Sequence, residues 1–215
     1  PDGSVRWVFQ SKAVNQARGH LDCARVLRYG KTPDAFRIAL TCCGAGNVAL
    51  IDGNGAVLWE VAGRHFESVD IGPIFPDYSG PQILVDIDHQ PRGKSPLWVI
   101  DEHGRPLGQI VTDYSRHHAL LDWDGDGLDE IMVAHSRGIY NRQGRRIATL
   151  GAPGCETTAV PPNHGRSLPI GDMTGDGVPD ILMTTTDTVY VYKNARGKKP
   201  DHPVPLGTGP NFTLY

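Results

Sequence analysis

Residues 122–133, DWDGDGLDEIMV, recur fifty residues on as DMTGDGVPDILM over residues 172–183. In the first copy Asp122, Asp124, Asp126 and Glu130 stand at loop positions 1, 3, 5 and 9, with Gly127 at position 6. In the second, Asp172, Thr174, Asp176 and Asp180 hold the same places around Gly177. Leu128 and Val178 fall at position 7, where a backbone carbonyl can join the set. A tight turn at the glycine brings such oxygens onto one hard cation, and calcium is the expected ion. Five carboxylates lie within nine residues of the first copy (Asp122, Asp124, Asp126, Asp129, Glu130) and would repel one another without a counter-ion. An EF-hand would place a bidentate Glu at position 12, but Val133 and Met183 stand there, inside apolar runs, so that motif is excluded. The plain alternative is a pair of Asp-Gly hairpin turns with solvated acids.

Around each loop the chain repeats a unit of about four short strands. Three hairpins have the same form: 47–51 and 56–61 about Asp52-Gly-Asn-Gly55; 96–100 and 107–111 about Asp101-Glu-His-Gly104; 138–140 and 146–150 about Asn141-Arg-Gln-Gly144. Asp22 and Asp70 are read as the first positions of two earlier loops that have lost their acids, 25–36 and 72–81, so no calcium is expected there. Intervals of 48, 52 and 50 residues then separate Asp22, Asp70, Asp122 and Asp172. Four strands with a period near fifty are the signature of a β-propeller blade. The fold class is therefore all-β: four-stranded blades, about four of them here, at about 18–62, 64–112, 116–150 and 164–215. Residues 1–10 resemble the turn and outer strand of a unit whose earlier strands are missing, so the chain reads as one propeller domain or a fragment starting in mid-blade. Two arrangements suit this start: a closed four-bladed ring in which the N-terminal strand completes the last blade, or the last four blades of a larger ring that missing N-terminal blades or a second chain would complete.

The bulk numbers fit a folded β-rich chain. Of 215 residues 39% are hydrophobic and 21% charged, and Gly (26) with Pro (17) makes up a fifth of the chain, as many turns require. A net charge of −3 gives no general reason to expect nucleic acid, and no stretch reads as a membrane span. Cys23, Cys42, Cys43 and Cys155 lack CxxC spacing. Either a disulfide from Cys23 to Cys42 or Cys43, or buried thiols, suits them. Asn211 begins an N-glycosylation sequon, which fits a secreted, extracellular protein. The start at Pro1 reads as a processed or truncated piece.

Before the inner strand of each unit stands a basic cluster: Arg18 with His20, Arg64 with His65, Arg116 with His117 and His118, and His164 with Arg166. In a propeller these connections converge at one end of the channel, opposite the acidic loops. Arg clamps an anion and His moves a proton near neutral pH. That pairing suits β-elimination on an acidic polysaccharide or oligosaccharide, with His20, Arg64, His65 and His118 as candidate catalytic residues. Hydrolysis would need two carboxyl groups about 5–10 Å apart, and Glu67, Asp113 and Glu156 are the acids on offer. For any single His the alternative is a structural, hydrogen-bonded residue.

The two acidic loops resemble those of FG-GAP-type propeller repeats, found in integrin heads and many secreted proteins. The wider pattern, with 19–25 (GHLDCAR) and 207–215 (GTGPNFTLY), is similar to calcium-containing propeller polysaccharide lyases: the rhamnogalacturonan, ulvan and rhamnose-glucuronate lyases. That likeness implies seven or eight blades, structural calcium, and elimination by a His with an Arg or Tyr. The expected function is a secreted lyase cleaving a uronate-containing glycan. The alternative is a non-catalytic FG-GAP-type propeller binding a carbohydrate or protein ligand.

Overall fold

The computed structural model describes residues 3–5, 7–10, 20–43, 46–63, 65–87, 93–113, 117–134, 136–153, 170–184 and 188–199. Its strands form four antiparallel sheets, each following chain order. Blade 1 comprises β1 (His20–Arg28), β2 (Arg37–Cys43), β3 (Asn47–Asp52) and β4 (Val57–Ala62); blade 2, β5 (Val69–Ile71), β6 (Gln82–Asp86), β7 (Lys94–Asp101) and β8 (Pro106–Asp113). Blade 3 comprises β9 (His118–Leu121), β10 (Glu130–Val133), β11 (Gly138–Tyr140) and β12 (Arg146–Thr149). Blade 4 shows three strands among the described residues, β13 (Ile170–Gly171), β14 (Asp180–Thr184) and β15 (Val189–Tyr192). The inner strands β1, β5 and β9 lie side by side.

Burial follows from stacking sheet on sheet. A middle strand is covered on both faces, so every residue of β6 and β10 is buried. An edge strand wets one face, so β4, and β15 at the edge among the described residues, alternate for most of their length between exposed and half-buried residues. Because successive side chains point to opposite faces, one middle strand feeds two cores. Ile83 and Val85 join Val48, Leu50 and Phe66 between blades 1 and 2. Leu84, between them in sequence, joins Val99, Ile131, Val133 and Tyr140 between blades 2 and 3. Met132 then turns to Ile139, Ile181 and Met183 between blades 3 and 4. The other face of blade 1 packs Leu40, Cys42, Ala49 and Ile51 against Phe9.

The turn from third to fourth strand in blades 1, 2 and 3 is closed by one side chain. Asp52 Oδ1 accepts the backbone N–H groups of Asn54 (2.8 Å) and Ala56 (3.0 Å). Asp101 Oδ1 takes those of His103 and Arg105 (both 2.8 Å), and Asn141 Oδ1 those of Gln143 (3.1 Å) and Arg145 (3.0 Å). The glycine that ends each turn has positive φ: +82° at Gly55, +79° at Gly104 and +73° at Gly144. These glycines also meet the preceding blade. A Cβ on Gly104 would come within 3.1 Å of Trp59, whose indole Nε1 donates to Glu102 O at 2.8 Å. Trp7 repeats the arrangement, donating to Gly53 O at 2.5 Å and lying over Gly55. Residues 7–10 thus sit against blade 1 much as β4 sits against blade 2.

Two readings of the sequence need correction. Asp22 and Asp70 do not open loops; they lie within β1 and β5. β1 continues through Arg28 because it pairs with β2 as far as Arg28↔Arg37, which shortens the first loop to 29–36. The second loop, 72–81, stands as read. Cys23, Cys42 and Cys43 carry thiols, which settles the two alternatives against a disulfide among them. The β1–β2 register explains this, since it sets Leu21 opposite Cys42 and His20 opposite Cys43, while Cys23 and Cys42 face different cores. Burial pushes the thiols of Cys23 and Cys42 up to about 11.

Candidate functional site

The acidic loop of blade 3 wraps its own carboxylates inward. Asp122 Oδ1 accepts Gly125 N–H (2.7 Å) and its Oδ2 accepts Gly127 N–H (3.0 Å). Asp124 takes Asp126 N–H, Asp126 takes Leu128 N–H, and Glu130 Oε2 takes Trp123 N–H at 2.9 Å. Gly125 (φ +78°) and Gly127 (φ +92°) allow the reversal. One oxygen each from Asp122, Asp124 and Glu130 lies within 4.8 Å of the other two. Burial, then Asp122 and Glu130, push the Asp129 carboxyl up to about 7. Burial raises Glu130 to about 7 as well, with Asp124 and Asp126 adding to it against the Trp123 N–H. Negative charge is in local excess here, and a divalent cation is the chemistry that would offset it.

The loop of blade 4 has the same backbone. Asp172 accepts the N–H groups of Gly175, Asp176 and Gly177, Asp176 that of Val178, and Asp180 Oδ2 those of Met173 and Thr174. Here Lys193 Nζ stands 2.7 Å from Asp176 Oδ2, and Lys198 reaches across to Gly125 O at 2.5 Å. The basic segment 193–199 therefore lies over both loops.

The position that opens the second strand of every blade separates the four loops chemically. Glu130 and Asp180 occupy it in blades 3 and 4, Gln82 in blade 2 and Arg37 in blade 1. Gln82 closes its loop with neutral hydrogen bonds, accepting from Phe75 N–H (2.8 Å) and donating to Phe75 O (3.0 Å) and Tyr78 O (3.2 Å). Arg37 donates to Asp34 O and Phe36 O. A cation or an amide thus stands in blades 1 and 2 where blades 3 and 4 carry a carboxylate.

At the other end of the inner strands the histidines separate. His118 Nδ1 lies 2.9 Å from Asp70 Oδ2, its side chain 0% exposed. Asp70 Oδ1 also accepts from Arg25 Nε at 3.3 Å, so one carboxylate on β5 ties β1 to β9. Burial raises the nearby Asp86 carboxyl to about 6, against the opposing pull of His118 and of the Ser68 and Glu67 N–H groups. His117 is buried, and its backbone N–H donates to Ser68 Oγ. His20 and His65 instead come together around Cys43: His20 Nε2 stands 3.0 Å from Asp22 Oδ1, and His65 Nε2 lies 3.3 Å from Glu67 Oε1 and in contact with Cys43 Sγ. Asp113 is held below the usual carboxylate range, first by Lys94 and then, against burial, by Tyr140 and Arg146. Arg64, with Arg18, Arg116, Glu156, His164 and Arg166, lies outside the described residues. Cys43 carries no local signal of a site, since its partners arrive from another strand or from the connection to the next blade, while Asp22 pairs with His20 on its own strand.

No family model matches the chain. Against known structures it resembles BBS1N, solved by crystallography in complex with ARL6DN and soaked with lead, with a TM-score of 0.53 and 15% identity over 86% of this chain and 57% of that one. The fold is a β-propeller. In sequence it is 24% identical over 212 residues to mouse integrin alpha-IIb, taking in 74% of this chain and 20% of that protein. The chain thus spans about a fifth of that relative's length. A protein of unknown function from Bacteroides caccae aligns with a TM-score of 0.43 at 11% identity.

Proposed function

We propose that this chain is a non-catalytic FG-GAP-type propeller that binds a protein ligand outside the cell, with calcium setting the loops of blades 3 and 4. The observation that carries this reading is the state of His118. A general base for β-elimination must reach a substrate proton, and this imidazole is fully buried and engaged with Asp70. It acts as a strut between blades. The likeness to an integrin alpha chain supports the same reading, as does a structural neighbour solved in complex with another protein.

Asp122, Asp124, Asp126, the Leu128 carbonyl and Glu130 would hold calcium in blade 3, and Asp172, Thr174, Asp176, the Val178 carbonyl and Asp180 in blade 4. Bound there, the ion would neutralise clustered carboxylates and lock a loop; it would supply no reaction chemistry. In blade 4 Lys193 must give up Asp176 first.

A second reading, lyase action on an acidic polysaccharide, is favoured by the partial exposure of His20 and His65 at one end of the inner strands. Incubating the protein with pectic, ulvan and gum polysaccharides separates the two. We expect no rise in the ultraviolet absorbance of an unsaturated uronate. A rise that disappears in His65→Ala would overturn the non-catalytic reading, and retention on immobilised glycans without turnover would replace the protein ligand with a carbohydrate.

A further inference from the structure

We propose that Cys43, His65, Glu67 and His20 form a binding site for a zinc-class divalent transition metal at the seam of blades 1 and 2. Three separate pieces of chain supply it: β1 gives His20, the end of β2 gives Cys43, and the connection from β4 to β5 gives His65 and Glu67. The sequence spacing shows no zinc motif, because these residues are brought together by the β1–β2 register and by the packing of blade 2 on blade 1. His20 stands opposite Cys43 in the ladder. Glu67 is drawn in by its backbone, whose carbonyl accepts from Thr41 Oγ1 at 2.8 Å and whose N–H donates to Asp86 Oδ1 at 3.0 Å.

The donor atoms form two triads that share one sulfur. Cys43 Sγ, His65 Nε2 and a Glu67 carboxylate oxygen lie within 4.8 Å of one another, and so do a His20 ring nitrogen, an Asp22 oxygen and the same sulfur. Within the first triad Sγ is 3.9 Å from Glu67 Oε1, and His65 Nε2 is 3.3 Å from that oxygen. Zinc bonds of about 2.0–2.3 Å in a tetrahedron set ligand atoms roughly 3.3–3.8 Å apart, so the first triad encloses an ion once the 2.5 Å contact between Cys43 Sγ and His65 Nε2 opens, with His20 turning in from the second. A soft thiolate and two intermediate imidazoles, with one hard carboxylate beside them, are a donor set that prefers zinc over calcium or magnesium. Asp22 Oδ1, 3.0 Å from His20 Nε2, would hold that nitrogen while Nδ1 meets the ion, or take the imidazole's place on it.

The position suits entry and retention. The side chains of Glu67 and Asp22 are 4% and 3% exposed and Cys43 is buried, whereas the imidazoles of His65 and His20 are 30% and 44% exposed. The anionic donors form a floor and the histidines a rim. Binding would release the Cys43 proton to solvent and clamp the β4–β5 connection to blade 1. This site lies at the opposite end of the inner strands from the acidic loops, and it is independent of whether the propeller binds or cleaves its ligand.

Cobalt(II) titration of the purified, reduced protein in the presence of excess calcium tests the site. One equivalent is expected to bring up a near-ultraviolet thiolate-to-cobalt charge-transfer band and the visible bands of a tetrahedral ion, both removed by zinc. Cys43→Ala should abolish the charge-transfer band, while Cys42→Ala, changed at a thiol facing the other core, should keep it. His65→Ala, at a partly exposed position, should weaken zinc at least as much as loss of an outer-shell partner does, about 10- to 100-fold. Absence of the band in the parent protein, or its survival in Cys43→Ala, overturns the proposal. Undiminished zinc affinity in His65→Ala does the same.

Discussion

His118 Nδ1 on β9 lies 2.9 Å from Asp70 Oδ2 on β5, and both side chains are buried. Arg25 of β1 holds the other oxygen of the same carboxylate. Three blades are therefore linked by one acid. Asp70→Ala strands two basic groups in a poorly solvated seam and should destabilise the fold by about 3–5 kcal/mol. Asp70→Asn, which keeps an acceptor, should cost less. Urea unfolding decides it, and a loss below about 1 kcal/mol for the alanine variant would show that the ladder contributes little.

Calcium should raise the melting temperature, because an ion bound only by the folded state stabilises it by about 2.7 kcal/mol at one hundred times its dissociation constant. The gain should vanish in part in Glu130→Gln and Asp122→Ala, which disarm the blade 3 loop. Asp176→Ala should reduce it less, since Lys193 already occupies that carboxylate. A melting scan before and after chelation measures this, and an unchanged midpoint would remove calcium from the account.

Stability should fall in acid through the turn aspartates. Burial pushes Asp101 up, but the N–H and guanidinium of Arg105 and the N–H of His103 outweigh it and hold the carboxyl below its usual range. Asp52 is held down chiefly by the Ala56 N–H. The folded state binds these protons more weakly than the unfolded chain does. The stabilisation is thus complete above the unfolded value of about 3.9 and is lost as pH falls through the lower folded values. Asp101→Ala should cost about 1–2 kcal/mol at neutral pH. Asp101→Asn should cost less and flatten the acid limb, since Asn141 closes the same turn in blade 3 without a charge. Denaturant titrations between neutral pH and pH about 3 compare the slopes.

Tyr140 should couple blades 2 and 3. Its ring is fully buried between them, its hydroxyl donates to Asp113 Oδ2 at 2.8 Å, and Arg146 lies 5.3 Å from the ring centroid. Tyr140→Phe should cost about 1–2 kcal/mol. A double-mutant cycle with Asp113→Ala should show an interaction of at least about 0.5 kcal/mol, and additive effects would refute the coupling.

Much of the blade was readable along the chain because its signals are local. The turns at Asp52, Asp101 and Asn141 each need only an acceptor side chain and a glycine three residues on, and their strands fall where alternation places them. The acidic loops are equally local, since Asp122 bonds to groups three and five residues away. Asp22 and Asp70 misled because an acid after apolar residues reads as a loop start, whereas the carboxylate of Asp70 is used sideways, toward neighbouring blades. The histidines illustrate the same limit: His20, His65 and His118 have similar sequence settings, yet one is a buried strut and two border Cys43.

The amino-acid sequence by itself determined the turn chemistry and the two carboxylate loops, because each depends on residues within about ten positions of one another, and the recurrence of those local signals determined the period and the four-strand unit. Only the tertiary structure decided which face of each strand meets which blade. It thereby decided that Asp70 serves Arg25 and His118, and that Cys43 lies beside His65 and Glu67. Those partners are set by the stacking of whole sheets about 45 to 50 residues apart in the chain, or by ladder register, and no local pattern encodes either.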